Sequence, residues 1–280
     1  MLDRTPCIVC GHVRRVRLAQ WSAYCDACGS WASDLPIGRG EIDSKTRVAG
    51  YEILRRENSR VVLDRIASLR PLRDARVLDV GSAYGWFLEE ASRAGAVSVG
   101  IEPDERLAAR SYGEVRVGRF PDALVSDERF DVIAFNDVLE HIPDVRGALE
   151  ACRTSLRPEG LLSVNIPTAD GLAFRASQKL ARLHIRGPYE RLWQRGLASP
   201  HLHYFSTTAL TDLLGRCGIR VRTVQALPAM TRKGLWQRIH TTRPVGPTSL
   251  FGFVCLYAAS GVLNSPRFSD IVHVIGERAR

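Results

Sequence analysis

The run Val77-Leu78-Asp79-Val80-Gly81-Ser82-Ala83-Tyr84-Gly85 decides how this chain is read. A short apolar strand carrying one acid leads into a glycine-bearing turn, and Trp86 to Ala94 continues with helical spacing. Such a turn lets the backbone approach a ligand and change direction sharply. A nucleotide-hydrolysing phosphate loop would end in Gly-Lys-Ser/Thr, whereas Gly85 is followed by Trp86. A dinucleotide fingerprint would need glycines at 81, 83 and 86, but Ala83 and the bulky Trp86 stand there. NTP hydrolysis and NAD binding are both disfavoured. What remains is a Gly81-xxx-Gly85 turn preceded by Asp79, with Glu102 ending the next strand 21 residues after Gly81. A carboxylate at that place can accept both hydroxyls of a ribose.

Outward from this turn, apolar runs of about five residues alternate with helical stretches. Arg76–Val80, Val97–Glu102, Val115–Val117, Phe130–Phe135, Leu161–Ile166 and Ile271–Ile275 read as strands. Trp86–Ala94, Asp104–Ser111 and Val145–Leu156 read as helices. Alternation of this kind implies an α/β fold, a largely parallel sheet with helices on both faces, with ligands at the carboxyl ends of the strands.

The amino-terminal region is different. Four of the seven cysteines form the pairs Cys7-Ile8-Val9-Cys10 and Cys25-Asp26-Ala27-Cys28, separated by 14 residues. Each pair places two thiolates on one tight turn, and a hairpin between them brings four sulfurs together around a zinc ion. Gly11 and Gly29 follow the second cysteine of each pair and suit the left-handed backbone of such knuckles. Two disulfides or redox dithiols are the competing readings; a cytosolic chain disfavours the first, and neither CxxC opens a helix after a strand. A closed four-cysteine site leaves no open position, so the metal would be structural. Cys152, Cys217 and Cys255 are scattered and read as small apolar residues. Between the knuckle and the main domain, apolar residues from Ser44 to Leu69, among them Val48, Tyr51, Leu54, Val62 and Ile66, predict one or two amphipathic helices.

With 280 residues, 45% apolar and 25% charged, the chain is able to bury a full core, which excludes intrinsic disorder. Met1 to Pro6 lacks an apolar leader segment, and no apolar run reaches the roughly 18 residues of a membrane span, so the expectation is a cytoplasmic protein. The net charge of +9 rests on arginine, since only Lys45, Lys179 and Lys233 are lysines. So strong an arginine bias says little about nucleic acid until its placement is known.

In this context the chain resembles the class I S-adenosylmethionine-dependent methyltransferases from about Leu72 onward. Val77 to Gly85 looks like their first motif, with Ala83 where the middle glycine usually stands, and Ile101-Glu102-Pro103 looks like the ribose-binding acid. Phe130-Asp131-Val132-Ile133-Ala134-Phe135-Asn136-Asp137-Val138-Leu139-Glu140-His141-Ile142-Pro143-Asp144 is similar to the fourth-strand motif. Leu156-Arg157-Pro158-Glu159-Gly160 is similar to the turn before the fifth strand, and His201-Leu202-His203-Tyr204-Phe205-Ser206 through Ile219 to the late segment. The resemblance implies a seven-stranded Rossmann-like sheet and S-adenosyl-L-methionine as cofactor. Asp79 would face the methionine ammonium, Gly81, Ala83 and Gly85 would form the turn, and Glu102 would hold the ribose. Arg119 and Phe120 would flank the adenine, and Asn136 and Asp137 would line the floor near the transferred methyl. An amino-terminal zinc knuckle resembles a subset of these enzymes that includes sugar and natural-product methyltransferases.

Three histidines are candidate proton acceptors for a hydroxyl nucleophile: His141, His201 and His203. If 201–203 is extended, both of its imidazoles fall on one side. The Asp137-xx-Glu140-His141 arrangement also resembles a metal-binding sequence of one quinone-methylating branch, while many relatives carry Glu-His without a metal. Arg175, Lys179, Arg182 and Arg186 are spaced as one helical stripe, with Leu172, Leu180 and Leu183 on other faces to hold the helix down. The stripe would attract an anionic acceptor or an anionic membrane surface. Leu250 to Leu263, with Phe251, Phe253, Leu256 and Tyr257, reads as a second insertion that covers an apolar acceptor or is simply core.

The expected plan is a zinc-binding knuckle over 1–35, a helical linker over 36–71 and a methyltransferase domain over 72–280 with insertions at 169–200 and 230–265. The expected activity is methyl transfer to a hydroxyl of a small molecule, sugar or lipid-linked glycan. Two alternatives accompany it. One is an RNA methyltransferase with a zinc knuckle, which lacks dense aromatic and basic interleaving between Cys7 and Cys28; the other is a non-catalytic cofactor-binding or zinc-mediated interaction protein, with Ala83 marking a decayed site.

Overall fold

The structure, a computed structural model, describes residues 5–13, 15–38, 45–236 and 246–279. Arg14 and Ser44 lie outside the described residues, as does the side chain of Val48. Strands β1 (Arg15–Ala19), β2 (Ser22–Cys25) and β3 (Trp31–Ser33) form an antiparallel ribbon. Helix α1 (Lys45–Ala67) is one continuous helix where the sequence left one or two open.

Alternation begins with β4 (Arg76–Val80), α2 (Trp86–Arg93), β5 (Val97–Glu102), a short α3 (Glu105–Ala108) and β6 (Glu114–Val117). Helix α3 is shorter than expected, and its first turn is capped by the Asp104 carboxylate, which accepts from Arg106 N–H at 2.9 Å. It continues with β7 (Phe130–Asn136), a single tight turn Leu139–His141, α4 (Val145–Ser155) and β8 (Leu156–Pro167). Phe130 pairs with Leu156 but Val132 with Leu161, so residues 157–160 bulge out of the ladder where the sequence predicts a turn. The chain closes with α5 (Leu172–Arg182), α6 (Gly187–Leu192), β9 (His203–Tyr204), α7 (Thr207–Arg216), β10 (Ile219–Leu227), α8 (Pro247–Leu263) and β11 (Ile271–Arg278).

Seven strands form one sheet in the order β10-β11-β8-β7-β4-β5-β6. The pairs among β4 to β8 are parallel, and β11 is antiparallel to both neighbours. Side-chain alternation assigns the faces. Val77, Val132 and Ala134 join Val62, Ile66 and Phe87 of α1 and α2 on one side, while Leu78, Val80, Ile133 and Phe135 join Leu149, Leu213 and Leu214 of α4 and α7 on the other. Burial on both faces is why these strands read as near-continuous apolar runs. Progression from β4 reverses direction at β7, so a crevice opens beyond the carboxyl ends of β4 and β7.

The ribbon is stitched onto this body. Strand β3 pairs with β9, Arg146 of α4 donates to the carbonyls of Ile8 and Val9 at 2.5 and 2.8 Å, and Trp21 stacks on Tyr189 at 5.5 Å. Helix α5 departs from expectation: it stops at Arg182, so Arg186 is not on the stripe of Arg175, Lys179 and Arg182. Leu183 is 70% exposed and Leu172 is exposed too; Phe174, Ser177 and Ala181 hold the helix down instead, because they face the aromatic cluster of Trp31, Tyr189 and Trp193.

Candidate functional site

The first turn after β4 is built from left-handed residues. Gly81, Ala83 and Gly85 have φ of 71°, 47° and 72°. A Cβ at Gly85 would lie 2.6 Å from the Tyr112 backbone nitrogen, and one at Gly81 would lie 2.6 Å from Val138 Cγ2, so both glycines are required by close approach as well as by conformation. Ala83 keeps the shape of the absent glycine at a cost of about 1–2 kcal/mol. Its N–H donates to Glu102 Oε2 at 2.9 Å, while Glu102 Oε1 accepts from Asp104 N–H at 2.9 Å. Each Glu102 oxygen therefore retains a lone pair, since a carboxylate accepts about four bonds. Burial pushes the Glu102 carboxyl up, opposed by these two N–H donors.

Asp79 is buried at the end of β4 and accepts from Asn136 Nδ2 at 3.0 Å. Burial pushes its carboxyl up to about 7, against the Asn136 hydrogen bond and aided by the nearby Glu102 charge. Ser82 Oγ is buried without a hydrogen-bond partner among the described residues. Phe120 is buried edge-on against Phe135 at 5.6 Å, and Arg119 is exposed.

Asp137 leaves β7 with φ 54° and pairs with Arg55 of α1 at 2.5 Å. Arg55 also donates to the Asn136 carbonyl at 3.3 Å. Sequence reasoning misses Arg55 because nothing distinguishes it from the other arginines of α1. Beyond Asp137, the Leu139–His141 turn carries Glu140 inward, fully buried, with both carboxylate oxygens lacking a hydrogen-bond partner among the described residues. Burial and the Asp137 charge drive the Glu140 carboxyl well above its ordinary range.

His141 and His201 meet here, their rings 4.7 Å apart. His141 Nδ1 donates to the Pro200 carbonyl at 2.8 Å, leaving Nε2 as acceptor, 4.0 Å from Glu140 Oε1. Gln194 donates its side-chain amide to His201 Nε2 at 2.9 Å. Burial lowers both imidazoles, His201 the further, so both are neutral at pH 7. One ligand atom each from Glu140, His141 and His201 lies within 4.8 Å of the others. His203 is placed apart from this trio: its Nε2 donates to the Ile142 carbonyl at 3.1 Å and its ring stacks on Phe205.

The four ribbon cysteines also converge. Their sulfurs all lie within 4.8 Å, with Cys7–Cys28 at 3.5 Å and Cys10–Cys25 at 3.6 Å. Gly11 and Gly29 have φ of 78° and 71°, and each donates its N–H to the carbonyl of the first cysteine of its pair, closing the two knuckles. A cavity of about 730 Å³ lined by Arg70, Asp131, Arg157, Arg222 and Glu277 lies at the opposite, amino-terminal edge of the sheet. Its arginines are tied to Asp131 and Glu277, which makes it a structural latch remote from the glycine turn.

Comparison with known proteins agrees with this geometry. The family described as "Methyltransferase domain" matches residues 52–224. The ubiquinone biosynthesis O-methyltransferase of Rhizobium rhizogenes is 33% identical over 140 residues, 45% of this chain and 56% of that protein. The protein of the same description from Xanthomonas oryzae pv. oryzae is 32% identical over 143 residues, 46% of this chain and 60% of that one. The chain thus spans little more than half the length of these relatives. Among solved structures, a SAM-dependent methyltransferase from Archaeoglobus fulgidus aligns with TM-score 0.52 at 20% identity, over 81% of this chain and 97% of that one. An S-adenosylmethionine-dependent methyltransferase from Mesorhizobium loti aligns with TM-score 0.53 at 16% identity, over 80% and 100%. Strand order, the glycine turn and sequence likeness converge, and the chain belongs to the methyltransferase-domain family.

Proposed function

We propose that the protein transfers a methyl group from S-adenosylmethionine to a hydroxyl oxygen of a small molecule. The observation that carries this reading is the pair of buried carboxylates, Asp79 and Glu102, ending adjacent parallel strands on either side of a left-handed glycine turn. The donor set fits the cofactor: lone pairs remaining on Glu102 suit ribose hydroxyls, and Asp79 suits an ammonium group. Phe120 would flank the adenine, and Asn136 and Asp137 would form the floor. When bound, S-adenosylmethionine supplies a methyl on a sulfonium that an oxygen nucleophile displaces in line. The chain's own task is to orient both partners and exclude water.

His141 is the proton acceptor in this reading. Its Nδ1–H is fixed on the Pro200 carbonyl, its Nε2 lone pair is available, and burial keeps it neutral. His201 packs against its ring and positions it. The unpartnered oxygens of Glu140 favour a second reading of the same trio, in which Glu140, His141 and His201 hold a divalent cation that polarises the acceptor hydroxyl. Zinc is the proposed occupant of the ribbon. A Zn–S bond of about 2.3 Å in tetrahedral geometry sets sulfurs about 3.8 Å apart, close to the 3.5 and 3.6 Å found.

The relatives named for ubiquinone biosynthesis suggest a hydroxylated aromatic acceptor. The test is incubation with methyl-labelled S-adenosylmethionine and fractionated cell extract, run with and without added Mg²⁺ or Mn²⁺. Label in a small-molecule fraction is expected. Label confined to RNA, or cofactor binding without transfer to any fraction, would overturn the reading.

A further inference from the structure

Helix α8 is apolar nearly all round, and its outward side is not covered by the rest of the described chain. Leu250, Phe251, Val254, Tyr257 and Val262 are 44–71% exposed, and at about 3.6 residues per turn they fall within about 140° of the helix circumference, on its outward side. The inward side carries the buried Ser249 and Ser260 together with the half-buried Phe253, Leu256 and Leu263. A helix facing water presents polar residues outward, whereas this one presents apolar residues there, so it is neither core nor ordinary surface.

Residues 247–263 contain no charge, and the charges stand around them. Arg232 lays its guanidinium 4.8 Å over the Tyr257 ring and donates Nε–H to Ser260 Oγ at 2.9 Å. Lys233 and Arg267 are exposed. Over 228–270 the sequence has five arginines and lysines against the single acid Asp270, and over 172–196 it has six against Glu190. These two segments are joined: Leu172 N–H donates to the Phe268 carbonyl at 3.2 Å, and Asp270 accepts from the N–H groups of Ala173 and Phe174. Asp270 is held at the start of α5 by that cap and is the single acid set against the cations of 228–270.

Topology fixes where this surface lies. Leu227 at the end of β10 pairs with Ile271 at the start of β11, which pairs with Pro167 at the end of β8. Helices α5 and α8 therefore rise from the edge of the sheet that carries Asp79, Glu102 and Asn136. An apolar stripe about 18 Å long, carrying aromatic rings and bordered by cations from the neighbouring segments, offers the apolar area and the anion-attracting rim that a lipid interface takes up. Pairing with a second copy through this face would oppose two sets of cations, which anionic headgroups would instead neutralise.

We propose that this edge docks on an anionic lipid bilayer, with α8 lying in the interface, so that the site opens toward a hydroxylated acceptor carried in the lipid. The identity of the acceptor rests on the methyl-transfer reading; the docking surface does not.

The experiment is co-sedimentation of the full chain with vesicles of phosphatidylcholine alone and of phosphatidylcholine with phosphatidylglycerol. Binding to the anionic vesicles is expected, weakening with salt. The variant Phe251→Ser/Val254→Ser/Tyr257→Ser should lose about tenfold or more of it, in proportion to the apolar area removed from the interface. Arg232→Ser/Lys233→Ser should lose its preference for the anionic vesicles. Unchanged thermal unfolding and S-adenosylhomocysteine affinity of the triple variant confirm its fold. Absence of wild-type binding at low salt, or equal binding by the triple variant, would overturn the proposal, as would a wild-type dimer in light scattering that becomes monomeric in the triple variant. Vesicle binding by a chain with no affinity for S-adenosylhomocysteine supports the docking surface and refutes the methyl-transfer reading.

Discussion

Ala32 of the cysteine ribbon lies opposite His203 in an antiparallel pair, and Trp31 lies opposite Tyr204 beside it. The ribbon strand β3 is thus the immediate neighbour of the segment that supplies His201, which in turn packs on His141. Zinc in the ribbon would hold the acceptor side of the crevice, while the glycine turn and Glu102 belong to other strands. Elemental analysis should find one zinc per chain. Its removal, or Cys25→Ser with Cys28→Ser, should change the fluorescence of Trp21, Trp31 and Trp193 and abolish methyl transfer, with little effect on S-adenosylhomocysteine affinity. Protein purified without chelator and devoid of zinc would contradict this.

Asp79 supplies a pH dependence. Its carboxyl stands at about 7 in the folded chain against an ordinary 3.8, with burial the main cause. Because the raised value means the folded state holds the proton more tightly, this group's contribution to stability is full below 3.8 and is lost as pH rises through about 7. A cofactor ammonium reverses the preference and expels the proton. Affinity should rise about fivefold from pH 6 to pH 7, reach about tenfold by pH 8 and then level off. Calorimetry in buffers of different ionisation enthalpy would detect the released proton, and Asp79→Asn should remove the dependence.

Ala83 holds a φ of 47° that favours glycine. Ala83→Gly should be neutral or stabilise by up to about 1 kcal/mol, since relieved strain exceeds the added freedom of the unfolded chain only slightly. Ala83→Val should destabilise, because β-branching is least tolerated at positive φ. Denaturant midpoints of the two variants check both signs.

Replacing His141 by Gln should lower kcat by about 10² to 10⁴ with cofactor affinity unchanged, and should flatten the rise of the rate with pH. His203→Leu, which removes the donor to the Ile142 carbonyl, should act chiefly on stability. A rate that vanishes with chelator and returns with Mg²⁺ or Mn²⁺ in wild type, but not in Glu140→Gln, would assign the trio to a cation.

Much of the sheet was legible because β4, β5 and β7 are buried on both faces, so Val77 to Val80 and Phe130 to Phe135 stand out as apolar runs. Glu102 was legible because it ends such a run. Arg55 was not: it reaches Asp137 across more than eighty residues from a helix crowded with arginine. The anchoring face of α5 is misread from the sequence because Leu172 and Leu183 are exposed and Leu180 is only half-buried, while a phenylalanine and two small residues face in, which periodicity alone does not distinguish. A helix apolar all round, as α8 nearly is, gives no sign of which face is covered. The docking of the ribbon rests on β9, only two residues long, too short to leave a pattern.

The central claim is that Glu102 holds the cofactor's ribose beside the glycine turn, and titration calorimetry of S-adenosylhomocysteine into wild type and a folded Glu102→Ala protein tests it most directly. Loss of two charge-assisted hydrogen bonds, at about 1.5–3 kcal/mol each and less than additive, predicts weakening by about 2–4 kcal/mol. Equal affinity in the two proteins would contradict the account.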